Sequence, residues 1–191
     1  MAEPAAPLRM TAAEYLAWES EQDEKHEFHA GEVFAMAGGS PRHNFLSLRM
    51  GARLDAALHG RGCHVLSSDQ RIAARRGERY VYADCVVACG AVRMEPGTSD
   101  VLASPCIIVE VISKRTELYD RGEKWASYQR LPSLTDYLLV AQRTVRVEHF
   151  QREAAGWRYS EHEKAGTVIL ANGVALEVDA IYDGAFELPS D

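Results

Sequence analysis

The chain has 191 residues, with 28 acidic against 21 basic side chains for a net charge of −7, and is 47% hydrophobic and 26% charged. That balance excludes an intrinsically disordered chain and a basic nucleic-acid coat protein, and the length suits a single domain with one sizeable core. Apolar runs such as Cys106 to Val109 and Tyr137 to Ala141 are strand-sized, far short of the roughly 20 residues that span a bilayer, so no membrane partner is expected.

The N-terminus, MAEPAAPLRM, has no basic region followed by an apolar core, so no signal peptide is expected and the reading is cytoplasmic. Thr11 and Glu14 have capping-box spacing ahead of Tyr15, Leu16 and Trp18, which predicts a short first helix. Glu27 to His29 and Glu32 to Met36 flank Ala30-Gly31, where glycine tolerates the positive φ of a tight hairpin turn. Gly38-Gly39 then breaks the chain, and Ser40 caps a second helix with Pro41 at its first position. That helix runs to about His59, with Leu46, Met50, Leu54, Ala57 and Leu58 on one stripe.

His64 to Ala73, Tyr80 to Ala88 and Pro105 to Ser113 read as strands, the last two apolar on both faces and therefore central in a sheet. Thr116 caps a third helix that runs to about Leu131, before Pro132. Short strands follow at Tyr137 to Val140, Val145 to Phe150 and Trp157 to Glu161, with a turn at Asn172-Gly173. The four cysteines, Cys63, Cys85, Cys89 and Cys106, lie in or beside apolar runs without a C-x-x-C pair and read as reduced core thiols. Helices flanking a mixed sheet give an α/β (α+β) fold in three layers.

Two of the central strands carry one acid each, Asp84 and Glu110. Alternation puts Glu110 on the face of Ile108 and Ile112, with Ile107, Val109 and Val111 on the other. An unpartnered buried carboxylate costs several kcal/mol, so a buried lysine or arginine, a strand-end turn or a metal must compensate. Two acids on neighbouring strands favour a shared site, because Mg²⁺ takes one or two carboxylates and fills its remaining positions with water and phosphate oxygens. Beyond Glu110, Asp120, Lys124 and Tyr128 share one helical face while Leu118, Gly122 and Trp125 form another. Lys124 then either folds back to the carboxylates or sits in solvent paired with Asp120.

The chain resembles a bacterial family described as putative restriction endonucleases, within the PD-(D/E)XK nuclease superfamily and once catalogued as a domain of unknown function. The residues that carry the resemblance are Tyr82-Ala83-Asp84-Cys85, Val109 to Ser113, Thr116, Tyr119 to Lys124, Tyr128 and Asp136 to Val140, with Glu27 to Glu32 and His43 upstream. It covers Met10 to Tyr182, nearly the whole of a single domain. It implies a three-layer α/β/α core with a central mixed sheet, and metal-dependent hydrolysis of nucleic-acid phosphodiesters, DNA above RNA, with Mg²⁺ or Mn²⁺. Asp84 matches the family's first metal-binding acid, although Ala83 replaces the usual proline, and Glu110 matches the second. Ile112 stands where the superfamily lysine is usual, and the lysine corresponds instead to Lys124. Glu27 is a further acid for the metal or a hairpin salt-bridge partner; His43 contacts substrate or caps and packs its helix.

The net negative charge opposes duplex binding except at local basic patches. Arg71, Arg75, Arg76 and Arg79 form one such cluster or a solvated hairpin tip, and Lys114, Arg115 and Arg121 could add to substrate binding. A homodimer or a partner is another way to raise affinity. Two other classes remain open: a nuclease-like interaction or regulatory module, and a phosphoesterase acting on small nucleotides.

Overall fold

The structure is a computed structural model and describes residues 8–190. After β1 (Leu8–Arg9), Thr11 caps α1 (Ala12–Glu19) with the full reciprocal capping box. β2 (His26–His29) and β3 (Glu32–Ala35) form the predicted hairpin, and both turn residues, Ala30 and Gly31, have positive φ of 49° and 95°. Two successive positive φ angles match the right-handed twist of the flanking strands. α2 (Pro41–Leu58) is capped by Ser40 and buries Leu46, Met50, Leu54 and Leu58.

The middle of the chain differs from the sequence reading in one consequential way. The run from His64 to Ala73 is two strands, β4 (Cys63–Ser67) and β5 (Arg71–Arg75), and the run from Tyr80 to Ala88 is also two, β6 (Arg79–Tyr82) and β7 (Cys85–Cys89). In each case the chain crosses between sheets at the break. Hydrophobic pattern alone does not reveal this, because β5 and β6 in one sheet and β7 in the other are buried on both faces alike. β8 (Val101–Leu102) and β9 (Ile107–Ile112) follow.

The third helix is also interrupted: α3 (Glu117–Tyr119), a π-helical turn over Asp120–Lys124, and α4 (Trp125–Tyr128). The wider turn shifts the helical phase, so Leu118, which regular helical spacing puts on one face with Trp125, is 87% exposed. Trp125 packs without it, against Tyr137, Phe150 and Trp157. β10 (Asp136–Ala141), β11 (Arg146–Glu153), β12 (Gly156–Glu163), β13 (Thr167–Ile169), β14 (Ala175–Glu177) and α5 (Val178–Tyr182) complete the fold.

One mixed six-stranded sheet has the order β12-β11-β10-β9-β7-β4, with β9 and β10 parallel; the other has the order β1-β3-β2-β6-β5-β8. The first is central. On one face α2 and α5 bury Val87, Ile107, Val109, Val111, Leu138 and Val140. On the other, Ile108, Ile112, Tyr137 and Leu139 pack against Ile72 and Val81 of the second sheet and against Tyr128 and Leu131. This is the predicted alternation of β9, and it points Glu110 toward the second sheet and the interrupted helix. No helix among the described residues is long and apolar enough to cross a membrane.

Contrary to what their spacing predicts, the four cysteines are not all reduced. Cys63 and Cys89, directly opposite in the β4–β7 pair, are joined as a disulfide with Cα atoms 4.0 Å apart, while Cys85 and Cys106 are free thiols. Spacing in the sequence says nothing of cross-strand register, which is what brings the two together. Burial pushes the free Cys85 thiol up to about 12 and Cys106 to about 11.

Candidate active site

Asp84 lies in the bend between β6 and β7 rather than within a continuous strand. The next residue, Cys85, pairs with Val109, so the antiparallel register carries Asp84 opposite Glu110. Its Oδ2 accepts a 2.7 Å hydrogen bond from the Val111 N–H, which continues the ladder with a side chain, and lies 3.3 Å from His43 Nε2. Asp84, Glu110, His43, Asp120 and Lys124 all line one cleft of about 90 Å³.

Lys124 is the hub of this cleft. Its Nζ lies 2.9 Å from the Tyr82 carbonyl oxygen, 3.0 Å from Glu110 Oε1, 3.3 Å from Glu27 Oε1 and 3.6 Å from Asp120 Oδ1, and the residue is 5% exposed. The solvated alternative for this lysine is therefore not what the fold adopts. The π-helical turn ends at Lys124, and such turns are frequent at functional sites.

The carboxylates are held individually. Glu110 Oε1 accepts from Lys124 and from Tyr128 Oη, each at 3.0 Å. Glu27 Oε1 accepts from the Tyr82 N–H at 3.2 Å, and its Oε2 accepts from Tyr119 Oη at 2.7 Å. Burial pushes Glu110 well above the usual carboxylate range, against the pull of Lys124 and with added repulsion from Asp120 and Asp84. Asp120 is raised for the same first reason, burial. Lys124 also suffers desolvation, but Glu110, Glu27 and Asp120 outweigh it and hold the ammonium well above its usual value. Three carboxylates thus crowd the buried Lys124 ammonium and Asp84 lines the same cleft, an excess of negative charge that favours either proton uptake or a bound metal ion.

Among the described residues no group of three or more His, Cys, Asp or Glu side chains is arranged as a metal cage. The oxygen donors of Asp84 and Glu110 nonetheless fit Mg²⁺ or Mn²⁺, which need only one or two carboxylates beside water and phosphate oxygens.

The remaining sequence candidates divide. His43 and Arg115 line the cleft, and Arg115 also donates to the Gly38 carbonyl at 3.4 Å. Lys114 is exposed on a separate depression shared with Gln142 and Arg146. Arg121 is not brought to the cleft: it grips Glu148 with both guanidinium NH groups and Glu117 at 2.9 Å. Arg71 is buried between Tyr15 and Tyr82 and pairs with Asp100 at 3.2 Å. Indeed the whole basic cluster is neutralised, since Arg75 pairs with Glu78, Arg76 with Glu95 and Arg79 with Glu123. A window of sequence shows the arginines but not the acids that tertiary structure sets against them.

Asp120, Tyr119 and Tyr128 belong to the site as well, and for two of them the sequence carries a signal, because Asp120 and Tyr128 share the helical face of Lys124.

The comparisons agree with this architecture. An uncharacterized protein of Synechocystis sp., slr1290, is 34% identical over 184 residues, covering 95% of this chain and 96% of that protein. A second from the same organism, sll1609, is 34% identical over 143 residues, 75% of this chain and 81% of its own length. The crystal structure of a putative nuclease from Anabaena variabilis superposes with a TM-score of 0.75 at 12% identity, covering 92% of this chain and 99% of that one, a likeness of fold. The sequence profile of the Uma2 family, described as putative restriction endonuclease, matches residues 12–181, and with the nuclease-type fold and the acid–lysine cleft between the β6–β7 bend, β9 and the interrupted helix, the chain belongs to that nuclease family.

Proposed function

We propose that the protein is a metal-dependent endonuclease that hydrolyses phosphodiester bonds of nucleic acid, DNA in the first instance, with Mg²⁺ or Mn²⁺ as cofactor. The observation that carries this reading is the buried Lys124 ammonium within 3.6 Å of Glu110, Glu27 and Asp120 in a cleft completed by Asp84. A buried lysine shared among three acids, with a fourth in the same cleft, is poorly balanced as a purely structural cluster and well suited to a divalent ion and a phosphate group.

Asp84 and Glu110 would hold the ion. When bound, it supplies Lewis-acid polarisation of the scissile phosphate and lowers the pKa of attacking water. Glu27, whose two oxygens already serve Lys124, Tyr82 and Tyr119, positions the lysine. Lys124, whose neighbouring acids favour its charged form, would act as a charged donor that stabilises negative phosphoryl oxygens. His43, 3.3 Å from Asp84, fixes that carboxylate from the α2 side.

The test is cleavage of plasmid and single-stranded DNA with Mg²⁺ or Mn²⁺. Cleavage abolished by chelation and by Asp84→Asn, in a variant that keeps its fold, supports the reading. Cleavage at the parent rate by Asp84→Asn removes Asp84 from the site. A parent inert on all nucleic acids makes the domain an interaction module.

A further inference from the structure

Next to the acid cleft, and sharing Asp120, Lys124, Arg115 and Thr116 with it, lies a wider pocket of about 490 Å³. Its size falls in the range of about 300–1,000 Å³ for small-ligand sites. One wall is the β2–β3 hairpin, where Glu27 and Phe34 are directly opposite partners. Directly opposed residues in an antiparallel pair project to the same face about 5 Å apart, so the Phe34 ring stands beside the acid that holds Lys124. Phe34 is 45% exposed, whereas Phe28 and Val33 of the same hairpin are buried. Met36 and Tyr119 add apolar and aromatic surface, with Tyr119 fixed by its hydrogen bond to Glu27.

The charges around this pocket are unsuited to tracking a duplex backbone. The chain carries a net −7, and the Arg71, Arg75, Arg76 and Arg79 cluster is paired with acids. Arg115 and Lys124 are the Lys and Arg side chains that reach the pocket, and Lys124 is already shared among carboxylates. Affinity must therefore come from the base more than from the phosphates. An exposed aromatic ring beside a phosphate-handling centre is the arrangement by which single-strand binders hold an unstacked base.

We infer that this pocket receives one unpaired nucleobase against Phe34 while the adjoining phosphate lies at the Asp84–Glu110 cleft, so that the substrate is single-stranded or locally unpaired nucleic acid rather than intact duplex. This rests on the nuclease reading above. Phe34 is then a specificity-determining residue.

The experiment is fluorescence anisotropy with short labelled single-stranded DNA, single-stranded RNA and the matching DNA duplex, in Ca²⁺ to suppress turnover, on the parent, Phe34→Ala and Phe34→Trp. The parent should bind a single strand more tightly than the duplex, with a salt slope shallower than about −2 because few phosphates are contacted. Phe34→Ala should weaken single-strand binding about 5- to 100-fold, the equivalent of one lost base stack, and Phe34→Trp should restore it. The exposed position means neither variant threatens the fold, which circular dichroism checks. Duplex preference in the parent, or single-strand affinity unchanged in Phe34→Ala, overturns the inference. If Asp84-dependent cleavage persists in that case, the nuclease reading stands alone; if no nucleic acid is bound or cleaved, both fall. The DNA and RNA arms identify which sugar the pocket accepts.

Discussion

Lys124 Nζ sits 3.0 Å from Glu110 Oε1, a contact made across the chamber between β9 and the interrupted helix. The position two residues beyond the acid is occupied by Ile112, which packs in the core with Ile108 and Leu139. The ammonium therefore reaches the acid from another element, and the π-helical turn over Asp120–Lys124 supplies it.

Lys124→Ala should lower turnover by about 10² to 10³, the usual loss for one electrostatic donor to a developing oxyanion. Metal half-saturation should change much less. As a charged donor, Lys124 should add no limb to the parent's pH–rate profile that disappears in the variant; a limb lost on substitution would make Lys124 the base instead.

Glu110→Gln should stabilise the metal-free protein at neutral pH. The sign follows from the raised carboxyl: a native pKa above the unfolded value of about 4.5 means that the native state binds the extra proton, so its ionisation penalises folding above the native pKa. That penalty fades as pH falls through the native pKa toward 4.5. Lys124 keeps Glu27 and Asp120 as partners in the variant. Thermal unfolding from pH 8 to pH 5 without metal should show the advantage of Glu110→Gln largest at pH 8 and shrinking on acidification. A variant less stable than the parent at every pH would mean that the Lys124 and Tyr128 bonds outweigh the desolvation. For the same reason metal affinity in the parent should rise with pH, since the ligand must lose its proton.

Gly39→Ala should disturb the site without touching an acid. A Cβ there would lie 2.6 Å from His43 Nδ1 and 2.8 Å from its Cγ, too close for the ring to stay beside Asp84. Forced displacement of this kind costs about 1–3 kcal/mol. Cleavage should fall together with a shift in the His43 ring resonances seen by NMR. An unmoved His43 resonance would show that the loop relaxes away instead.

Thiol titration in denaturant should find two reactive cysteines, Cys85 and Cys106, before reduction and four after it. Reducing the Cys63–Cys89 bridge should lower stability by about 3 kcal/mol, the loop-entropy value for a loop of a few tens of residues. Four thiols in the untreated protein would return these residues to the reduced state that their spacing suggests.

Much of this molecule is legible along the chain because it depends on local chemistry. The capping box at Thr11, Ser40 with Pro41, the Ala30-Gly31 turn and the Leu46-Met50-Leu54-Leu58 stripe each form within a few residues, and each appears where the sequence predicts it. The alternation of β9 likewise isolates Glu110 among apolar neighbours, and burial of a lone acid demands a partner whatever the fold. What tertiary structure alone decides are the relationships between distant segments. These are the breaks at Ser68 to Gln70 and at Ala83-Asp84, where the chain changes sheets, and the phase shift that exposes Leu118. They include the cross-strand register joining Cys63 to Cys89 and the acids that neutralise Arg71, Arg75, Arg76 and Arg79. The physical reason is one of range: propensity, capping and periodicity are energies of neighbouring residues, whereas a salt bridge, a register or a buried cluster takes its energy from groups that meet only after the chain has packed.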